Sequence, residues 1–154
     1  MKIFIMRHGE AEPFADSDAE RELTKRGRSQ SIAVARACQE QGCGHFSKVL
    51  VSPYTRAQQT WQVLAGCMSA DSVVECDDIT PYGHSEQVFE FVSALIEVEK
   101  LDSVLLVSHL PLVGYLTAEF VPETVPPMFP TSGLMCIEYD PVTRRGEHLW
   151  NINP

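Results

Sequence analysis

Residues 103–109 read Ser103-Val104-Leu105-Leu106-Val107-Ser108-His109, four consecutive apolar residues closed by a polar pair. Such a run is long enough for a buried strand and too short for a helix, and its lack of alternation is what a strand covered on both faces requires. The same form recurs twice upstream. Lys2-Ile3-Phe4-Ile5-Met6 ends in Arg7-His8-Gly9-Glu10, and Lys48-Val49-Leu50-Val51 ends in Ser52-Pro53. Val73-Val74-Glu75-Cys76 is a shorter candidate, and 134–139 and 147–152 read as two final strands around a turn over 140–146.

Helical patterns fill the spaces between these runs. Thr24 caps a helix predicted to reach about Gln41, with Ile32, Ala33 and Ala37 on its inner face and Gly42 as the stop. Ser52-Pro53 is a helix start, an N-cap followed by proline at the first helical position, and the helix continues through Arg56, Thr60 and Leu64 toward Cys67. Val88, Phe89, Val92, Leu95 and Ile96 recur at helical spacing over 85–99. A last helix opens around Leu110-Pro111, and 11–21, 77–84 and 122–133 are loops. Strands alternating with helices predict an α/β three-layer sandwich, a mostly parallel central sheet with helices on both faces, in one domain over 1–154.

Composition narrows the function. The 154 residues carry 12 Lys and Arg against 21 Asp and Glu, a formal net charge of -9, which repels a phosphate backbone and argues against nucleic-acid binding. No apolar stretch is long enough to span a membrane, and Arg7 and His8 interrupt the N-terminal apolar run before a signal segment could form. Cys38, Cys43, Cys67, Cys76 and Cys136 are odd in number and form no CxxC pair, so reduced thiols in a cytoplasmic protein are expected.

Three of the strands end in reactive residues: Arg7-His8, then Ser52 with Arg56, then Ser108-His109. Open α/β sheets bind ligands outside the carboxyl ends of their strands, so these groups are expected to converge. Arginine's planar fork donates two parallel charge-assisted hydrogen bonds to a phosphoryl group, and helices beginning at Pro53 and Leu110 would add free N–H groups. The remaining histidines, His45, His84 and His148, are scattered, with no ligand spacing for a metal. The acidic stretch 10–22 borders the cleft and reads as a solvated loop, with a part in shaping specificity as the alternative.

Met6-Arg7-His8-Gly9-Glu10 resembles the Arg-His-Gly signature of the histidine phosphatase (phosphoglycerate mutase-like) superfamily. Ser52-Pro53-Tyr54-Thr55-Arg56-Ala57 resembles its second block and Val107-Ser108-His109 its third, in the same order. The resemblance implies that His8 is the nucleophile and forms a transient phosphohistidine. It implies that Arg7, Arg56 and His109 bind the phosphate, His109 as a cation once phosphate is present, and the helix start at Leu110 adds its N–H to them. No metal or other cofactor is implied. The attacking nitrogen must be unprotonated, so a carbonyl near Gly9 should hold the other ring nitrogen, while Gly9 lets the chain turn.

Larger members of the family carry an inserted cap and a carboxylic acid after the third strand. Here only 77–102 lie between the third and fourth strand candidates, too few for a sizeable helical cap. Asp78 is the candidate proton donor. An uncapped site admits a side chain on a folded protein, and departing imidazole needs little help from an acid. The expected substrate is therefore a phosphohistidine-bearing protein, a phosphotransfer domain of a sensor kinase, acted on by a monomer. The alternatives are a phosphatase for small phosphoesters and a non-catalytic phosphoprotein-binding module.

Overall fold

The computed structural model describes residues 1–154. In chain order, strand β1 spans Lys2–Arg7, helix α1 Lys25–Glu40, β2 His45–Phe46, β3 Lys48–Val51, α2 Thr55–Leu64, β4 Ser69–Ala70 and β5 Val73–Glu75. Then follow α3 Ser85–Glu99, β6 Ser103–Ser108, α4 Leu112–Phe120, β7 Leu134–Asp140 and β8 Arg145–Ile152. Single 3-10 turns, Asp18–Glu20 and Asp77–Ile79, lie in two of the segments expected to be loops. The six-stranded sheet has the order β5-β3-β6-β1-β7-β8, and β2 and β4 form a separate two-stranded ladder that the sequence did not announce. β5, β3, β6 and β1 pair in parallel, whereas β7 and β8 add antiparallel at one side.

Alternation along the strands builds two cores. Ile3, Ile5, Val104 and Leu106 face one side of the sheet with Val88, Val92 and Ile96 of α3 and Val113 and Leu116 of α4. Phe4, Met6, Leu105 and Val107 face the other with Val34, Ala35 and Cys38 of α1 and Ala57 and Leu64 of α2. Successive side chains of a strand point to opposite faces, so continuous apolar runs are what a doubly covered sheet needs. Because α3 is spent on this packing, no helix is left over to roof the carboxyl ends of the strands.

Several boundaries and faces differ from expectation. The inner face of α1 is Gly27, Ser31, Val34, Ala35 and Cys38, not Ile32, Ala33 and Ala37; the buried stripe follows i, i+3, i+4 steps from Gly27. Helix α2 begins at Thr55, because Tyr54 stays extended at φ -65°, ψ 138°. Pro53 therefore lies outside the helix. Helix α4 begins at Leu112 and not Leu110, since the residue before a proline is biased away from helical geometry. Strand β8 starts at Arg145, earlier than expected. Asp140 accepts the N–H groups of Val142 and Arg144, which closes the turn tightly and lets pairing resume at Asp140–Arg145.

Candidate active site

Register brings the site together. β1 and β6 pair with Arg7 opposite Ser108, and β3 and β6 with Val51 opposite Val107. The next residues along the three strands, His8, His109 and Ser52, therefore emerge side by side at one edge of the sheet. The His8 and His109 ring centroids are 5.0 Å apart. Both rings are buried, as is Arg56 on the first turn of α2.

The His8 ring is held in one tautomer. Nδ1 lies 2.7 Å from the Gly9 carbonyl oxygen, and a carbonyl only accepts, so Nδ1 carries the proton. The lone pair is left on Nε2, where Arg56 Nε donates at 3.3 Å. Burial lowers the His8 pKa to about 4, aided by the charges of Arg56 and Arg7 and opposed by the Gly9 bond. His8 is neutral at physiological pH, as a nucleophile must be.

Gly9 serves the site by close approach and not by a turn with positive φ. A Cβ there would lie 2.9 Å from both the Gly27 carbonyl and Ser31 Oγ. Its N–H donates to Thr60 Oγ1 at 3.0 Å, and that hydroxyl in turn donates to the Arg56 carbonyl at 2.7 Å. The loop that carries the nucleophile is thereby tied to the helix that carries the arginine.

His109 is neutral in the free protein. Burial, with His8 and Arg56 beside it, pushes its pKa down to about 2. Its Nε2 lies 2.7 Å from Ser52 Oγ, which also accepts the Tyr54 N–H at 3.2 Å. The serine hydroxyl has one proton to give, and His109 Nε2 is the acceptor beside it. That assignment places the imidazole proton on Nδ1. Ser52 is thus a tautomer-setting residue instead of a side-chain helix cap. Its role was not legible in the sequence because its partner lies 57 residues away. Tyr54 packs edge-on against His109 at 5.0 Å and under the Arg56 guanidinium at 5.0 Å.

Arg7 donates from Nη1 to the Phe129 carbonyl at 3.0 Å, and burial together with the Arg56 charge lowers its pKa. Two buried side-chain nitrogens in the whole chain lack a hydrogen-bond partner: Arg7 Nε and His109 Nδ1. Buried polar groups are ordinarily satisfied, so unpaired donors that flank one nucleophile mark a place built for an anion. The Leu110 N–H also makes no backbone hydrogen bond.

The Asp78 carboxylate takes no part in the hydrogen bonds of this cluster. It is exposed on the Asp77–Ile79 turn, and no hydrogen bond or ion pair joins its carboxylate to His8, Arg7, Arg56 or His109. Its neighbour Ile79 does approach, since the Ile79 carbonyl accepts from Ser108 Oγ at 2.7 Å. The acidic stretch 10–22 is more than a solvated loop: Asp18 meets Arg56 and Arg21. No group of three or more His, Cys, Asp or Glu side chains is disposed to hold a metal ion. His45 instead pairs with Asp71 at 2.9 Å and His148 with Asn151 at 3.2 Å.

A parallel sheet whose strand ends present a neutral histidine beside a buried arginine, a half-buried arginine and a second histidine is the architecture of histidine phosphatases. The sequence model of the histidine phosphatase superfamily (branch 1) matches residues 3–80, and the chain belongs to that family. Within it, the chain is 40% identical to the phosphohistidine phosphatase SixA of Escherichia coli (strain K12), covering 100% of this chain and 94% of that protein. A SixA homolog of Haemophilus influenzae is 40% identical over 84% of this chain and 82% of its own. The solved structure of the protein histidine phosphatase SixA complexed with tungstate superposes with a TM-score of 0.94 at 39% identity, over 100% of this chain and 97% of that one. No helix of the chain is long and apolar enough to cross a membrane.

Proposed function

We propose that the chain is a phosphohistidine phosphatase whose one domain, residues 1–154, removes the phosphoryl group from a histidine on another protein. The observation that carries this reading is the pair of unpartnered buried donors, Arg7 Nε on the residue before His8 and His109 Nδ1 on the ring beside it, together with a His8 whose Nδ1 is held by the Gly9 carbonyl. In this reading His8 Nε2 bonds to phosphorus as the substrate's P–N bond breaks. Arg7, Arg56, His109 and the Leu110 N–H neutralise the equatorial oxygens, which is where most catalysis of phosphoryl transfer lies. The anion's charge then favours protonation of His109.

When the substrate ring carries a proton on its other nitrogen, its imidazole departs neutral and needs no acid at the broken bond. The Asp78 carboxylate, exposed and without a bond to the cluster, fits that economy. The second half runs the same way. Phosphorylated His8 keeps its Nδ1 proton on the Gly9 carbonyl, so it also leaves neutral when water attacks phosphorus and inorganic phosphate forms. A phosphohistidine-bearing phosphotransfer domain of a sensor kinase is the substrate we favour. The absence of a roof over the strand ends supports a protein-sized substrate, as does the apolar groove of Leu110, Pro111, Tyr115, Pro127 and Met128.

Phosphate release from a histidine-phosphorylated phosphotransfer domain and from an aryl phosphate tests the reading, with His8→Ala as control. Fast release from the protein, lost in His8→Ala, is expected. Activity on the aryl phosphate alone would make the chain a small-phosphoester phosphatase. Binding of the phosphoprotein without release would make it a binding module.

A further inference from the structure

The Arg56 guanidinium makes three hydrogen bonds, and two of them are to a single residue. Nη1 donates to the Asp18 backbone carbonyl at 2.7 Å and Nη2 to the Asp18 carboxylate at 3.3 Å. Asp18 thereby embraces the end of the guanidinium fork. The third bond, from Nε to His8 Nε2 at 3.3 Å, points the side of the fork at the nucleophile. Each terminal nitrogen carries two hydrogens, so Nη2 keeps one beside Nε–H after Asp18 has taken the other. The edge that faces His8 thus carries two parallel donors, the geometry that suits two oxygens of one phosphoryl group on His8.

Asp18 is itself held. Its other carboxylate oxygen accepts from Arg21 Nη1 at 2.9 Å, and Arg21 Nε donates to the Glu12 carbonyl at 2.7 Å. The carboxylate pKa is lowered, first by the Arg21 bond, so Asp18 stays charged between its two arginines. A relay of contacts, Glu12 to Arg21 to Asp18 to Arg56, joins the segment between β1 and α1 to the nucleophile. We propose that Asp18, steadied by Arg21, is a positioning residue that aims the side edge of Arg56 at the phosphoryl group on His8.

The inference rests on the proposed phosphatase reading and adds residues to its machinery. A different role is open to the same contacts: a carboxylate on a phosphate-binding arginine could act as a built-in competitor for the substrate. The two differ in sign. A competitor's removal speeds turnover, whereas an aiming residue's removal slows it. The backbone-carbonyl bond and the Arg21 anchor favour aiming, because neither would be released by an incoming phosphate.

The experiment measures kcat and KM on a histidine-phosphorylated phosphotransfer domain for the intact chain, Asp18→Asn, Arg21→Ala, Arg56→Ala and the Asp18→Asn/Arg56→Ala pair. Asn at position 18 can accept from one arginine only, and its amide faces the other. We expect Asp18→Asn to lower kcat between about tenfold and about 100-fold, the scale of a misplaced catalytic group, with KM changing less. Arg21→Ala is expected to give a smaller loss in the same direction. In the Arg56→Ala background, Asp18→Asn should cost little more, which a merely destabilising change would not produce. Unchanged or faster turnover of Asp18→Asn, or full additivity with Arg56→Ala, overturns the positioning role. His8→Ala is assayed in parallel: if it stays active, the underlying phosphatase reading fails instead.

Discussion

A histidine that must attack phosphorus and then leave it needs one nitrogen bare and the other protonated throughout. The Gly9 carbonyl supplies that asymmetry to His8, and the expectation of such a carbonyl was correct because the chemistry demands an acceptor. Ser52 does the same for His109, a role no local pattern announces. Substituting Ser52→Ala removes the hydroxyl that directs the His109 proton to Nδ1, while the apolar packing around it stays. Turnover of the phosphoprotein should fall on the order of tenfold, since only part of the His109 population would then present a donor. Nitrogen chemical shifts of the His109 ring check the cause. A single Nδ1-protonated form in the intact chain should become a mixture in Ser52→Ala, and an unchanged ring spectrum would remove the tautomer argument.

At the scale of elements, the nucleophile loop depends on a close approach between α1 and the segment after β1. Gly27 lies in the first turn of α1, directly against the Glu10 backbone: a Cβ would come within 2.2 Å of the Glu10 carbonyl oxygen. Backbone cannot give way as the end of a flexible side chain can. In Gly27→Ala, helix α1 must move off Glu10, and Gly9, which packs on the Gly27 carbonyl, must move with it. Overpacking of this kind costs roughly 1–3 kcal/mol. Urea unfolding should show that loss, accompanied by a fall in turnover, and a variant with wild-type stability and rate would contradict the packing account. Neither glycine could be assigned this function from sequence, because both contacts are made across the fold. The strands were easier to read, and where boundaries slipped, at Thr55, Leu112 and Arg145, the cause was a residue or two of turn geometry.

Across the whole molecule, an acidic chain keeps two neutral histidines buried beside two arginines. That arrangement makes folding depend on pH. His8 has a pKa of about 4 in the folded state against its ordinary 6.5, so between these values the unfolded chain binds more protons. Its contribution to stability is complete above pH 6.5 and declines as pH falls toward 4. His109 extends the decline toward about 2. The urea midpoint should therefore drop between pH 7 and pH 5, above the ordinary range of carboxylates, and His109→Asn should flatten the slope. A midpoint constant over that interval would mean that the histidines are not held neutral.

The sequence alone determined the layers and the chemistry at the strand ends. Continuous apolar runs encode doubly covered strands residue by residue, and Arg7-His8, Arg56 and His109 are reactive types wherever they fall. It also determined that too few residues separate β5 from β6 to build a cap. What only the tertiary structure decided is which of those groups meet. Parallel register sets His8 beside His109, the Ser52 hydroxyl selects a tautomer, and Asp18 grips Arg56. The physical reason is range: strand burial follows from neighbours in sequence, whereas a hydrogen bond of about 3 Å depends on backbone placements set by packing between distant segments.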